Sequence, residues 1–131
     1  TIYRLFTKRL VDIDREGFFT PAIEVYLQKV DSKNPSIVAE FRGNLHQICQ
    51  IQVIDKRFKT TKGIGVGSTL GDLRKAYTVN RIDWGEAGFF AKVEEIGIVF
   101  ILDTGTPPGW PDKKDPKLFP DNAKTNSIFI N

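Results

Sequence analysis

The chain has no methionine, one cysteine and one histidine. A single cysteine excludes an intrachain disulfide, and a chain so poor in cysteine and histidine has no Cys-rich zinc site. No apolar run approaches the roughly 20 residues of a membrane helix. The longest, Ile98-Val99-Phe100-Ile101-Leu102, suits a buried strand. Charge of one sign is scarce too: 19 basic residues oppose 16 acidic ones, for a net charge of +3. Lys56, Arg57, Lys59, Lys62, Arg74 and Lys75 crowd together against Asp72. That patch is too modest for a nucleic-acid groove, and no nucleic-acid motif accompanies it. The chain opens on Thr1. With no methionine it is expected to be a trimmed or processed piece, by removal of a signal peptide or as an excised domain.

What is present is a globular composition, 40% apolar and 27% charged over 131 residues. That length suits a single domain spanning residues 1–131. Alternation of period two runs through Ile23, Val25 and Leu27, then through Ile37, Ala39 and Phe41. It returns in Cys49, Ile51 and Val53 and in Phe89, Ala91 and Val93. Residues 98–102 and 127–130 complete the strand candidates, while residues 2–13 fit a strand or a short helix. Turn residues at Asp14-Arg15-Glu16-Gly17, Asp31-Ser32-Lys33-Asn34-Pro35 and Arg42-Gly43-Asn44 suit hairpins. Prolines 107, 108, 111, 116 and 120 make residues 104–122 a long irregular loop.

One helix is signalled over residues 69–77. Ser68 or Thr69 can cap it, Asp72 stands at capping-box spacing from Thr69, and Leu70, Leu73, Ala76 and Tyr77 form its apolar stripe. Arg74 and Lys75 suit its C-terminal dipole end. Gly71 weakens it by about 1 kcal/mol relative to alanine. The expected fold is therefore α+β, a mostly antiparallel sheet of about six strands with one short helix packed on it.

Gly63, Gly65 and Gly67 lead into this helix. Their spacing is not that of a dinucleotide fingerprint, and no Gly-Lys-Ser/Thr phosphate loop is present. Lys59, Lys62, Gly67, Ser68 and Thr69 remain as a candidate anion-binding set, with helix amides as donors. The competing reading is structural: the glycines let the chain turn tightly and pack the helix on the sheet.

Residues 63–77, GIGVGSTLGDLRKAY, resemble a motif recurring in uncharacterised exported bacterial proteins and lipoproteins. In a looser form they are similar to small outer-membrane assembly lipoproteins and β-lactamase inhibitor proteins. Residues 97–103 and 120–124 add weaker support. The resemblance implies export to the periplasm or cell envelope and a helix packed on an antiparallel sheet. It carries no catalytic residues, and with no cysteine near Thr1 it leaves lipid anchoring open.

Other polar groups offer little chemistry. Asp12, Asp14, Glu16 and Gly17 imitate half a calcium loop, but Glu24 falls one residue late and Pro21 interrupts it. His46 and Cys49 would face opposite sides of a strand, against both metal binding and a nucleophilic pair. Cys49 reads as a small core residue. Asp83, Glu86, Glu94, Glu95 and Asp103 show no spacing that selects an acid–base pair. No catalytic residue, metal ligand or cofactor is assigned. Trp84, Phe90 and Trp110 stand beside glycine or proline and are the candidate anchors for a protein, peptide or envelope partner; the competing reading is that these aromatics cap the sheet ends as part of the core. The expected function is a non-catalytic exported binding or structural domain; the alternative is a small-anion or phosphate-ligand binder, or an enzyme, using the Gly63–Thr69 turn.

Overall fold

A computed structural model describes residues 7–15, 18–26, 35–42 and 47–130. They form eight β-strands and one α-helix. The antiparallel α+β class holds, with eight strands where the sequence suggests about six. The chain divides into two compact units, Thr1–Asp55 and Lys56–Ile130.

The first unit is an antiparallel meander of β1 (Thr7–Arg15), β2 (Phe18–Tyr26), β3 (Ile37–Arg42) and β4 (Gln47–Val53). Arg15 pairs with Phe18, so residues 12–15 lie in a strand rather than a calcium loop. Glu16, Gly17 and His46 fall outside the described residues. Register aligns Leu10, Ile23, Ala39 and Ile51 in one row across the four strands. Val25, Ile37 and Val53 form a second row on the same face, because paired residues share a face and alternate along a strand. Burial favours the other face, where Ala22, Tyr26, Val38 and Glu40 are buried. The register shifts between Glu40 and Phe41, a bulge in β3–β4 pairing. Beside it the Cys49 thiol donates to the Glu40 carbonyl at 3.5 Å, and Cys49 is half-buried rather than a core residue.

The second unit begins with α1 (Leu70–Ala76) and continues as β5 (Arg81–Gly85), β6 (Gly88–Val93), β7 (Ile98–Asp103) and β8 (Lys124–Ile130). These four strands are antiparallel in the order β8-β7-β6-β5, so β5 lies at the margin. Ile82, Ala91, Phe100 and Ile128 align across them, and all four are buried. Leu70 and Leu73 of α1 are fully buried. Burying each such large side chain contributes about 1.5–3 kcal/mol.

The helix starts and stops where its sequence dictates. The Thr69 hydroxyl accepts from the Asp72 amide at 3.1 Å, and the Asp72 carboxylate accepts from the Thr69 amide at 3.0 Å. This is a capping box. The Tyr77 backbone turns extended and its amide donates to the Leu73 carbonyl. Between β7 and β8 the proline-rich stretch holds one 3-10 turn, Pro116–Leu118, capped by the Asp115 carboxylate.

Candidate functional site

Four aromatic rings meet around the β5–β6 hairpin. Phe89 is their centre: its centroid lies 4.8 Å from Trp84, 5.3 Å from Trp110 and 5.0 Å from Phe119. Trp110 and Phe119 are 5.8 Å apart. Every pair is edge-to-face, the favoured arrangement for ring quadrupoles. The hairpin register pairs Trp84 with Phe89, which puts both rings on one face. Phe89 and Phe119 are buried, Trp110 is half-buried, and Trp84 remains 61% exposed.

Phe90 does not join them. It pairs with Asp83 on the opposite face, where the Arg81 guanidinium lies 5.5 Å from its ring centroid. Trp84 lies within strand β5, although glycines flank it closely at Gly85 and Gly88. Of the three sequence-derived anchors, the structure unites Trp84 and Trp110 through Phe89 and leaves Phe90 apart. Phe89 and Phe119 lie in the same aromatic segments as the anchors, but the fold buries them at the centre of the group instead of exposing them.

Two charged groups frame this surface. Lys114 Nζ sits 5.6 Å from the Trp110 ring centroid and 3.6 Å from Asp83 Oδ1. Since Asp83 and Trp84 point to opposite faces, Lys114 reaches around the margin of the sheet. Asp83 accepts the Trp84 amide at 2.8 Å, and that bond holds its carboxyl below the usual carboxylate range, with Lys114 adding to the effect. Asp83 is therefore a fixed anion at neutral pH.

The Gly63–Thr69 turn has a different fate from the anion cradle its glycines suggest. The Gly67 amide donates to Thr125, Ser68 to Gly65, Leu70 to Ala123 and Gly71 to Asp121, all to backbone carbonyls. Thr69 and Asp72 consume each other's amides. Every amide from Gly67 to Asp72 is thus engaged, and the Asp72 carboxylate stands where an anion would sit. Asp72 is itself held below the usual carboxylate range, chiefly by the Thr69 amide. Lys62 Nζ donates to the Ala76 carbonyl at 2.9 Å and lies 4.7 Å from the Tyr77 ring centroid, at the far end of the helix. Lys59 Nζ donates to Val66 at 3.4 Å. Lys62, Ser68, Asp72 and Lys75 line a shallow concavity of about 580 Å³, in which cations and a carboxylate alternate.

Arg74, read from sequence as a dipole partner, instead ties α1 to the proline-rich stretch. Its guanidinium donates to the carbonyls of Phe119 and Pro116 and pairs with Asp121 at 2.6 Å. This fixes the backbone next to Phe119 and so positions the aromatic group.

Among the described residues, no three His, Cys, Asp or Glu side chains gather as a metal site. Among the described residues, no helix is long and apolar enough to cross a membrane. No protein-family model matches the chain, and no curated protein matches it. In fold it is similar to the crystal structure of the uncharacterized protein yfeY from Escherichia coli. That likeness has a TM-score of 0.66 and 19% identity, covering 97% of this chain and 82% of that one. It shows a shared fold.

Proposed function

We propose that this chain is a non-catalytic binding domain of the bacterial cell envelope that contacts a protein or peptide through Trp84 and Trp110. One observation carries the reading. A tryptophan on strand β5 is 61% exposed while its edge contact, Phe89, is buried. Aromatic anchors held on preformed scaffold contribute strongly to interfaces, because little side-chain freedom remains to be lost on binding. Asp83 and Lys114 supply a polar rim of both signs beside the ring. A carboxylate locked as an anion suits binding better than proton transfer, which needs a pKa near the working pH. The envelope setting rests on the resemblance carried by residues 63–77.

The test replaces Trp84 with a photoreactive phenylalanine and irradiates cells expressing the chain. A discrete protein adduct is expected from position 84 and not from position 47, an exposed site in the first unit. Equal labelling at both positions, or no adduct from position 84, refutes the reading.

A further inference from the structure

We infer that the turn at residues 56–65 is a membrane-contact element, which lays an exposed phenylalanine and a group of lysines on a bilayer surface of anionic phospholipid. It shares no residue with the Trp84–Trp110 surface. Phe58 is 37% exposed, and its chain neighbours Lys56, Arg57 and Lys59 are exposed with it, as is Lys62. The turn is braced from below. The Thr60 amide donates to the Ile64 carbonyl at 2.8 Å, the Gly63 amide to the Thr60 carbonyl at 2.9 Å and the Gly65 amide to the Ser68 hydroxyl at 3.0 Å. Lys59 pairs with Gly65 in an isolated bridge, and Ile64 and Val66 anchor the returning limb in the core. Phe58 therefore stands at the surface on a preformed loop.

Charge selects the occupant. Lys59 and Lys62 donate to the carbonyls of Val66 and Ala76, which are neutral and leave the positive charge in place. An ammonium has donors to spare after one such bond, so a lipid phosphate can still be met. Lys62 carries the positive surface on to α1, where it lines one concavity with the exposed Lys75. Two carboxylates oppose them. Asp72 stands in that concavity, and Asp55 precedes the turn, where it accepts the Ser36 hydroxyl at 2.9 Å. Lys56, Arg57, Lys59, Lys62 and Lys75 outnumber them, and the local balance is positive. Basic side chains around an apolar one match an anionic bilayer, whose phosphates meet the cations while the ring enters the headgroup boundary. A fluid bilayer imposes no register on these charges. A nucleic acid does, because it needs cations that track its backbone, and this group is confined to one turn and the end of one short helix.

Co-sedimentation of the full chain with lipid vesicles tests this. At low salt the chain is expected to pellet with vesicles of equal parts phosphatidylglycerol and phosphatidylcholine, and not with pure phosphatidylcholine. Salt at about 1 M, where the screening length falls to about 3 Å, releases it. Each basic residue near such a surface strengthens binding about fivefold, so Lys56→Ala combined with Lys75→Ala lowers the partition coefficient about 25-fold. Both side chains are exposed, and circular dichroism verifies that the double variant stays folded. Phe58→Ser lowers partitioning about fivefold and leaves the salt dependence intact. Lys113→Ala, at an exposed lysine of the proline-rich stretch, changes nothing. A chain that ignores the mixed vesicles at low salt overturns the inference, as does one that binds pure phosphatidylcholine equally well. So does binding indifferent to the double substitution, or a chain that leaves the mixed vesicles for a duplex oligonucleotide.

Discussion

Arg74 of α1 pairs with Asp121 at 2.6 Å across the second unit, and the same guanidinium donates to the carbonyls of Pro116 and Phe119. The two ends of this pair are unequal, because Asp121 is largely exposed while Arg74 is mostly covered. Removing Asp121 loses an exposed ion pair, worth about 0–1 kcal/mol. Removing Arg74 strips two carbonyls of a charged donor, which costs about 1.5–3 kcal/mol. Arg74→Ala should lower the melting temperature clearly more than Asp121→Ala, as read by thermal denaturation.

The capping box gives a second prediction. Thr69→Ala leaves the Asp72 amide without its acceptor and should destabilise the domain by about 1 kcal/mol. Urea unfolding of the variant and wild type measures the difference.

The Asp72 carboxyl is depressed by its bond from the Thr69 amide. A depressed folded-state pKa stabilises the fold above the unfolded value of about 3.9 and loses that effect as pH falls through the folded value. The stability gap between wild type and Asp72→Ala should therefore be constant near neutral pH and narrow below about pH 4. A gap that widens on acidification would contradict this sign.

Trp84 and Trp110 should separate in the same assay. Trp84 is mostly exposed, so Trp84→Ala forfeits little beyond one ring contact, about 0.5–1.5 kcal/mol. Trp110 touches both Phe89 and Phe119, and its loss opens a gap among buried rings. Trp110→Ala should cost about 2–4 kcal/mol, towards the range of core aromatics. Their melting curves decide it.

Gly71 offers a contest between two effects. Alanine there gains about 1 kcal/mol of helix propensity. Its Cβ would stand 3.0 Å from the Asp121 Cβ and 3.2 Å from the Asp121 carbonyl oxygen. That carbonyl also accepts the Gly71 amide at 2.9 Å, so it cannot withdraw freely. Gly71→Ala should be net destabilising, and a stability increase on chemical denaturation would show that residue 121 yields.

Helix α1 was legible nearly to the residue because its signals are local: a cap, a carboxylate three positions on, and an apolar stripe. Strands β3, β6 and β7 were legible from alternation or a continuous apolar run for the same reason. Strand β5 was not, since Arg81–Gly85 offers only Ile82 and Trp84 as apolar marks and ends in glycine. The opening half of β2 was hidden by Pro21, which usually demotes a strand. The turn before α1 misled more deeply. Its glycines and lysines match an anion cradle in composition, yet tertiary partners at Asp121, Ala123 and Thr125 take the amides. Such partners lie some fifty residues away, where no local pattern can register them.

The amides that open α1 have a consequence for how the molecule comes apart. Leu70 and Gly71 are tethered to the stretch just before β8, while Gly67 donates to Thr125 and Thr125 donates back to Ser68. A seven-residue coil lashed this way has no freedom to fray on its own. It and the final strand must let go of each other in one event, so deuterium should enter both at a common rate.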